Sequence, residues 1–198
     1  MEDLEELTRR AVLRRYRRRE AVFEEGDPPR AVFLLRSGLL KALKYTPRTE
    51  PCALEVIVPG ALFGMIAVLD EKPYPVSALA IQDSEAYTVP AAFFEDLLAR
   101  HPRFAREVFR QVGEHLRNAQ GMRALAKESA ERRIARVLVL LGALLGREVK
   151  VRREDVAEMA GTTPETAVRV LADFRRRGLV SSGWKRIVVA KPDRLLKI

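Results

Sequence analysis

Residues 151–189 decide the architecture: Val151-Arg152-Arg153-Glu154-Asp155-Val156-Ala157-Glu158-Met159-Ala160-Gly161-Thr162-Thr163-Pro164-Glu165-Thr166-Ala167-Val168-Arg169-Val170-Leu171-Ala172-Asp173-Phe174-Arg175-Arg176-Arg177-Gly178-Leu179-Val180-Ser181-Ser182-Gly183-Trp184-Lys185-Arg186-Ile187-Val188-Val189. The first ten residues fit a short helix with Val156 and Ala160 inward, and Gly161-Thr162-Thr163 makes a turn. Thr163 is suited to cap the next helix, with Pro164 at its first position, where a missing N–H costs nothing. That helix runs to Arg177 and stops at Gly178. A small residue at Ala157 lets two helices cross tightly, and Gly161 permits a sharp turn. Two short apolar runs around Ser182-Gly183 then read as a β-hairpin. The order is helix, turn, helix and wing.

The second helix presents Glu165, Thr166, Arg169, Asp173 and Arg176 on its outer face. Arginine pairs bidentately with guanine and glutamate accepts from cytosine, so Glu165, Thr166 and Arg169 are candidate base readers. Thr163, Arg175, Arg176, Lys185 and Arg186 are assigned to phosphate contacts, which position a protein without specifying sequence. The bland alternative is a solvated basic helix that packs on a protein partner. Lys and Arg number 36 against 27 Asp and Glu, a net charge of +9, which suits a polyanionic partner.

Upstream of this motif, Ser129 is a plausible cap for a helix over 130–145, ended by Gly146. Before it, Pro102 opens a long helix. Ala105, Val112, Ala119 and Ala126 fall seven apart, and so do Val108, His115 and Met122. This reads as a heptad seam along which two copies of the helix pair, with Phe104, Phe109, Leu116 and Leu125 on a neighbouring face that covers the rest of the chain. One buried amphipathic helix is the alternative. His115 on the seam is either a packing residue or a pH-sensitive one. Residues 16–90 differ in character. Short apolar runs at 31–35, 39–45, 53–58 and 77–81 alternate with Gly/Pro turns, the pattern of a compact β-sandwich or roll.

Several classes drop out. One cysteine, Cys52, excludes internal disulfides and thiolate metal clusters, and reads as a strand residue or an oxidant sensor. His101 and His115 are the only histidines and both lie in helical sequence, which removes a metal enzyme built on a β-roll. The acidic start is no signal peptide, and no apolar run approaches the ~18 residues of a membrane span. The expectation is a soluble, cytoplasmic protein that is not an enzyme, with no cofactor and no membrane partner.

At this point the chain resembles the CRP/FNR family of bacterial transcription regulators. The resemblance rests on Gly26-Asp27, Phe33-Leu34-Leu35-Arg36-Ser37-Gly38, Pro59-Gly60-Ala61-Leu62-Phe63-Gly64, the long helix, and Thr163-Pro164-Glu165-Thr166-Ala167-Val168-Arg169. It implies an α+β fold with three parts: a cyclic-nucleotide-binding-like β-roll over 1–99, a dimerisation helix over 100–128, and a winged helix-turn-helix over 129–198. Glu165 and Arg169 match the family's readers of a G·C-containing step. Pro164 stands where relatives that read an extra guanine carry arginine, and Val168, where some carry a small polar reader, is added as a base contact.

The effector site departs from the cyclic-AMP-binding pattern. Those relatives carry Gly-Glu-Leu and Arg-Ser-Ala, where this chain has Gly64-Met65-Ile66 and Val76-Ser77-Ala78, so the acid and the base are both missing. The cysteine cluster of oxygen sensors and the β-roll histidine of haem sensors are missing too. An effector pocket, if used, is expected around Phe63, Gly64, Met65, Val76, Ser77 and Asn118. The resulting expectation is a homodimeric regulator that reads a pseudo-palindromic operator in double-stranded DNA, activates through RNA polymerase, and does not depend on cyclic AMP. A regulator gated by an unidentified effector, or a protein-interaction module, remains the alternative.

Overall fold

The computed structural model describes the backbone of all residues except 1, 47–48, 126–127 and 184–185, and the side chains of all except 1–5, 45–54, 118–127 and 182–185. The chain divides into two compact units, Met1–Lys44 with Glu55–Gln120, and Tyr45–Leu54 with Gly121–Ile198.

The first unit opens with α1 (Glu2–Arg9), β1 (Val12–Tyr16) and β2 (Ala21–Phe23). Next come β3 (Ala31–Ser37), β4 (Leu40–Thr46), β5 (Thr49–Ile57), β6 (Leu62–Phe63), the short α2 (Met65–Leu69), β7 (Ser77–Ala80) and β8 (Ser84–Pro90). Helices α3 (Ala91–Arg100) and α4 (Pro102–Leu125) follow. The strands form two four-stranded sheets, ordered β1-β8-β3-β6 and β2-β7-β4-β5. This is the expected roll, and it contains β1, β2, β6 and β8, which the sequence pattern did not show.

β3 explains why a run of five apolar residues is a strand here. Successive side chains alternate between faces, and both faces are buried. Phe33 and Leu35 join Tyr16, Phe23, Ala42, Phe63, Tyr74 and Ala78 in one core cluster. Val32 and Leu34 join Leu7, Val89, Phe94, Leu97, Phe104 and Val108 in the other, which brings α1, α3 and α4 onto the roll. Gly38 turns the chain between β3 and β4 at φ +96°, and a Cβ there would stand 2.1 Å from Ser84 Oγ, so only glycine fits. Ser84 Oγ itself accepts from Leu39 N at 3.1 Å, which locks that corner.

In the second unit α5 spans Ala130–Leu145. The Ser129 hydroxyl accepts from Arg132 N, and Gly146 ends the helix at φ +86°, as the sequence suggested. Then come β9 (Glu148–Val149), α6 (Arg153–Met159), α7 (Pro164–Arg176), β10 (Val180–Gly183), β11 (Arg186–Val189) and α8 (Pro192–Leu195). The three strands form one sheet, β10-β11-β9. Ile134, Leu138, Leu141, Val156, Ala157, Ala167, Leu171, Phe174 and Ile187 are all buried, so the inward stripes of α5, α6 and α7 meet in one core.

Candidate functional site

The turn between α6 and α7 is held from three sides. Gly161 takes φ +56°. The Thr163 hydroxyl accepts from Thr166 N at 3.3 Å and caps α7. From α5, the Arg133 guanidinium donates to Ala160 O at 2.7 Å, Gly161 O at 3.1 Å and Glu128 O at 2.6 Å. The Ala160 and Gly161 carbonyls follow α6 and have no partner inside it, and Glu128 precedes α5, so one arginine ties the corner to the start of α5. The sequence reading missed Arg133, because nothing local marks an arginine whose acceptors lie as much as 28 residues away.

With the turn fixed, α7 buries Ala167, Leu171 and Phe174 and turns Glu165, Val168, Arg169 and Arg176 outward. Glu165, Arg169 and Arg176 recur at spacings that keep them on one helix face. The Glu165 carboxylate is held below its usual range by its own backbone N–H and then by the Thr163 hydroxyl, so it is charged at neutral pH. Arg169 is exposed and makes no ion pair with any described residue. Thr166 is half-buried, with its hydroxyl turned back to Thr163 Oγ1 at 3.3 Å. Arg176 is drawn along the helix to Asp173 at 2.8 Å, while Arg175 is exposed. On the sheet, Arg186 lies 3.5 Å from Glu148. Lys185 lies outside the described residues.

The charge is partitioned between the units. Residues 121–198 hold 18 Lys and Arg against nine Asp and Glu, whereas 1–44 with 55–120 hold 17 of each, so the net charge of +9 falls entirely in the carboxy-terminal half.

The inward face of α4 differs from the reading above. Val108 is 1% exposed and packs in the core cluster with Phe104, and Val112 packs at its edge. His115 also turns into the first unit. It is Phe109 and Leu116, expected to cover the roll, that are exposed, at 69% and 61%. Ala105, Phe109, Val112 and Leu116 fall within roughly 60° of arc, spaced four, three and four. Two heptad phases share Ala105 and Val112 and differ at the alternate positions. The apolar outer surface of the roll selects Val108 and His115 for itself and leaves Phe109 and Leu116 outside. Ala119, Met122, Leu125 and Ala126 lie outside the described side chains.

The first unit also holds a pocket, partly open to solvent. Of the sequence candidates, Phe63, Gly64, Met65 and Val76 line it. Ser77 does not; it is buried, and its Oγ accepts from Glu25 N at 2.9 Å. Asn118 and Cys52 lie outside the described side chains. The sequence missed Phe23, Ile57, Tyr74, Glu55 and His115, which also line it. Phe23 stacks on Tyr74 at 3.9 Å between centroids, and the Tyr74 hydroxyl donates to Ala31 O at 2.5 Å. Among the described residues no lysine or arginine lines the pocket. Among the described residues no cluster of His, Cys, Asp and Glu is arranged to hold a metal, and no helix is long and apolar enough to cross a membrane.

Comparison with known proteins agrees with this division. Residues 13–101 match the cyclic nucleotide-binding domain family, and residues 132–198 match the Crp-like helix-turn-helix domain family. The chain is 30% identical to the transcriptional activator protein anr of Pseudomonas aeruginosa, over 94% of this chain and 79% of that one. It is 33% identical to the cyclic AMP receptor protein of Thermus thermophilus, over 86% and 80% of the two chains. The structure of FixK2 from Bradyrhizobium japonicum superposes with a TM-score of 0.84 at 23% identity, covering 94% of this chain and 96% of that one, which shows the shared fold.

Proposed function

Because the chain belongs to the CRP/FNR family of transcription regulators, which bind DNA and are not enzymes, we propose that it is a homodimeric activator that reads its operator without cyclic AMP. The observation that carries the reading is the outer face of α7. There the ionised Glu165 and Arg169, which has no ion pair among the described residues, stand one turn apart on a helix whose start is fixed by Thr163 and Arg133. Glu165, Val168 and Arg169 read base edges, with Thr166 set back beside the cap. Thr163, Arg175, Arg176 and Arg186 lie toward the phosphates, and the confinement of the net charge to this half supports that division.

The dimer forms through the outward stripe of α4, Phe109 and Leu116, flanked by the half-buried Ala105 and Val112. Exposed aromatic and aliphatic side chains at coiled-coil spacing call for a like surface, and a two-fold pair supplies one. Two recognition helices related by that axis read half-sites about one helical turn apart. Activation through RNA polymerase follows the relative from Pseudomonas aeruginosa, named as an activator.

Independence from cyclic AMP rests on the pocket. A cyclic phosphate needs a cation; among the described residues no Lys or Arg lines the pocket, and the His115 imidazole there is already paired with the Glu55 carboxylate at 2.6 Å. Burying a phosphate there unpaired costs several kcal/mol, so the nucleotide is rejected (about 1–3 kcal/mol for neutral polar groups, more for ions). The domain family's name and the Thermus thermophilus relative's name concern that ligand, and the missing arginine separates this chain from it.

The test is selection of bound duplexes from a random DNA library, using the purified full chain with and without cyclic AMP. A two-fold-symmetric motif recovered equally well in both supports the reading. A motif recovered only with the nucleotide refutes its cyclic-AMP clause. General, salt-sensitive binding with no motif refutes sequence reading by α7.

A further inference from the structure

Helix α4 meets the first unit through Phe104, Val108, Val112 and His115, about one contact per turn. Three of these are apolar and the last is an imidazole. Its Nδ1 lies 2.6 Å from the carboxylate of Glu55 on β5, 60 residues away in sequence. The pair is sheltered, with side-chain exposures of 19% and 26%. The Leu62 carbonyl, on β6, also acts on the ring in favour of its charged form. A carboxylate only accepts hydrogen bonds, so Nδ1 carries a proton toward Glu55, and the negative charge beside it favours the imidazolium.

The other charges near the ring point the same way. Glu114 on its own helix adds a second negative charge. Among the described residues around the pocket the only further ionisable side chain is Tyr74, whose hydroxyl is bonded to Ala31 O. Among the described residues no lysine or arginine lines the wall to compete. Burial alone opposes the charge, and it is outweighed. The ring's affinity for its proton is therefore raised above the ordinary histidine value, chiefly by the hydrogen bond to Glu55.

We propose that the His115–Glu55 pair is a proton-controlled latch: the charged ring seats α4 on β5 with Phe109 and Leu116 turned outward, and loss of its proton releases the helix. The sign follows from linkage. A group that holds its proton more tightly when folded contributes fully below its unfolded value, and the contribution fades as pH rises through the folded one. Release therefore comes on the alkaline side. The latch places regulation at the pocket and makes a proton the effector. Its regulatory half rests on reading the outward stripe of α4 as the dimer contact.

The chain has two histidines, so the ring resonances of His115 are assigned by comparison with His101→Gln. Proton-detected NMR from about pH 5 to about pH 9 then follows the ring in the wild type and in Glu55→Gln, which keeps the shape and removes the charge. The expected midpoint lies above the ordinary histidine value in the wild type and falls in Glu55→Gln. Sedimentation is expected to show the dimer constant weakening about three- to tenfold across the same transition, on the scale of tenfold per pKa unit, and flat with pH in His115→Gln. A midpoint at or below the ordinary value, or one that Glu55→Gln leaves in place, overturns the latch. A raised midpoint with a flat dimer constant overturns the regulatory claim. A chain that is monomeric throughout refutes the dimer reading, and the ring midpoint then judges the latch alone.

Discussion

Truncating Phe109 to alanine separates the two phases of the α4 stripe. In the isolated chain 69% of this ring is exposed, and Leu116 beside it is 61% exposed. Burying a whole phenylalanine contributes about 1.5–3 kcal/mol, so burying the part still exposed contributes about 1–2 kcal/mol per chain. A symmetric pair loses it twice, about 2–4 kcal/mol, which weakens the dimer about 30- to 1,000-fold at 1.4 kcal/mol per decade. The control is Val108→Ala. Val108 is 1% exposed inside its own unit, so its truncation costs about 2 kcal/mol of folding stability and moves the dimer constant less than about threefold. Sedimentation equilibrium reads the first quantity and urea unfolding the second. Phe109→Ala with a dimer constant within about threefold of wild type, or Val108→Ala as the dissociating variant, refutes this assignment of faces.

Gly38→Ala forces a Cβ to within 2.1 Å of Ser84 Oγ and 2.6 Å of its Cα at a positive φ. The expected loss is about 3 kcal/mol or more, a drop in Tm of about 6–12 °C by calorimetry, and a loss under about 1 kcal/mol rejects the close approach. Arg133→Leu leaves three carbonyls without their donor and is expected to cost about 2 kcal/mol while weakening DNA binding from a position that reads no base; unchanged denaturant midpoints would dispose of its supporting role. Arg169→Ala is expected to lose about 1–3 kcal/mol against one preferred base, whereas Arg175→Ala weakens all sequences alike and lowers the salt slope by about one. The reverse pattern in a binding titration exchanges their roles.

The helix-turn-helix was legible because its determinants are local. Ser129, Gly146, Thr163 and Pro164 act within one turn of their own position, and α5 and α7 begin where those residues place them. The roll was legible where strands bury one whole face or both, as in β3. It was not at β1, Val-Leu-Arg-Arg-Tyr, where only Tyr16 is buried and no alternation shows. β8 pairs with both β1 and β3, yet its buried residues include Ser84 and Ala86, too small or polar to register as a hydrophobic period. The phase of α4 failed for a different reason. A sevenfold repeat constrains Ala105 and Val112 and leaves the choice between Val108 and Phe109 to the surface that receives them. The pocket was half visible. Phe63 to Met65 adjoin one another in sequence, but Glu55 reaches His115 only through the fold.

The division of charge sets how the molecule is free to change. The counterions released when DNA is bound are governed by residues 121–198, because the remainder is neutral in sum. Substitutions around the pocket that conserve charge therefore leave untouched the non-specific grip that carries a regulator along the chromosome. Pocket and search are separate inheritances, and the residues before 121 are free to change while those after keep their pace on DNA.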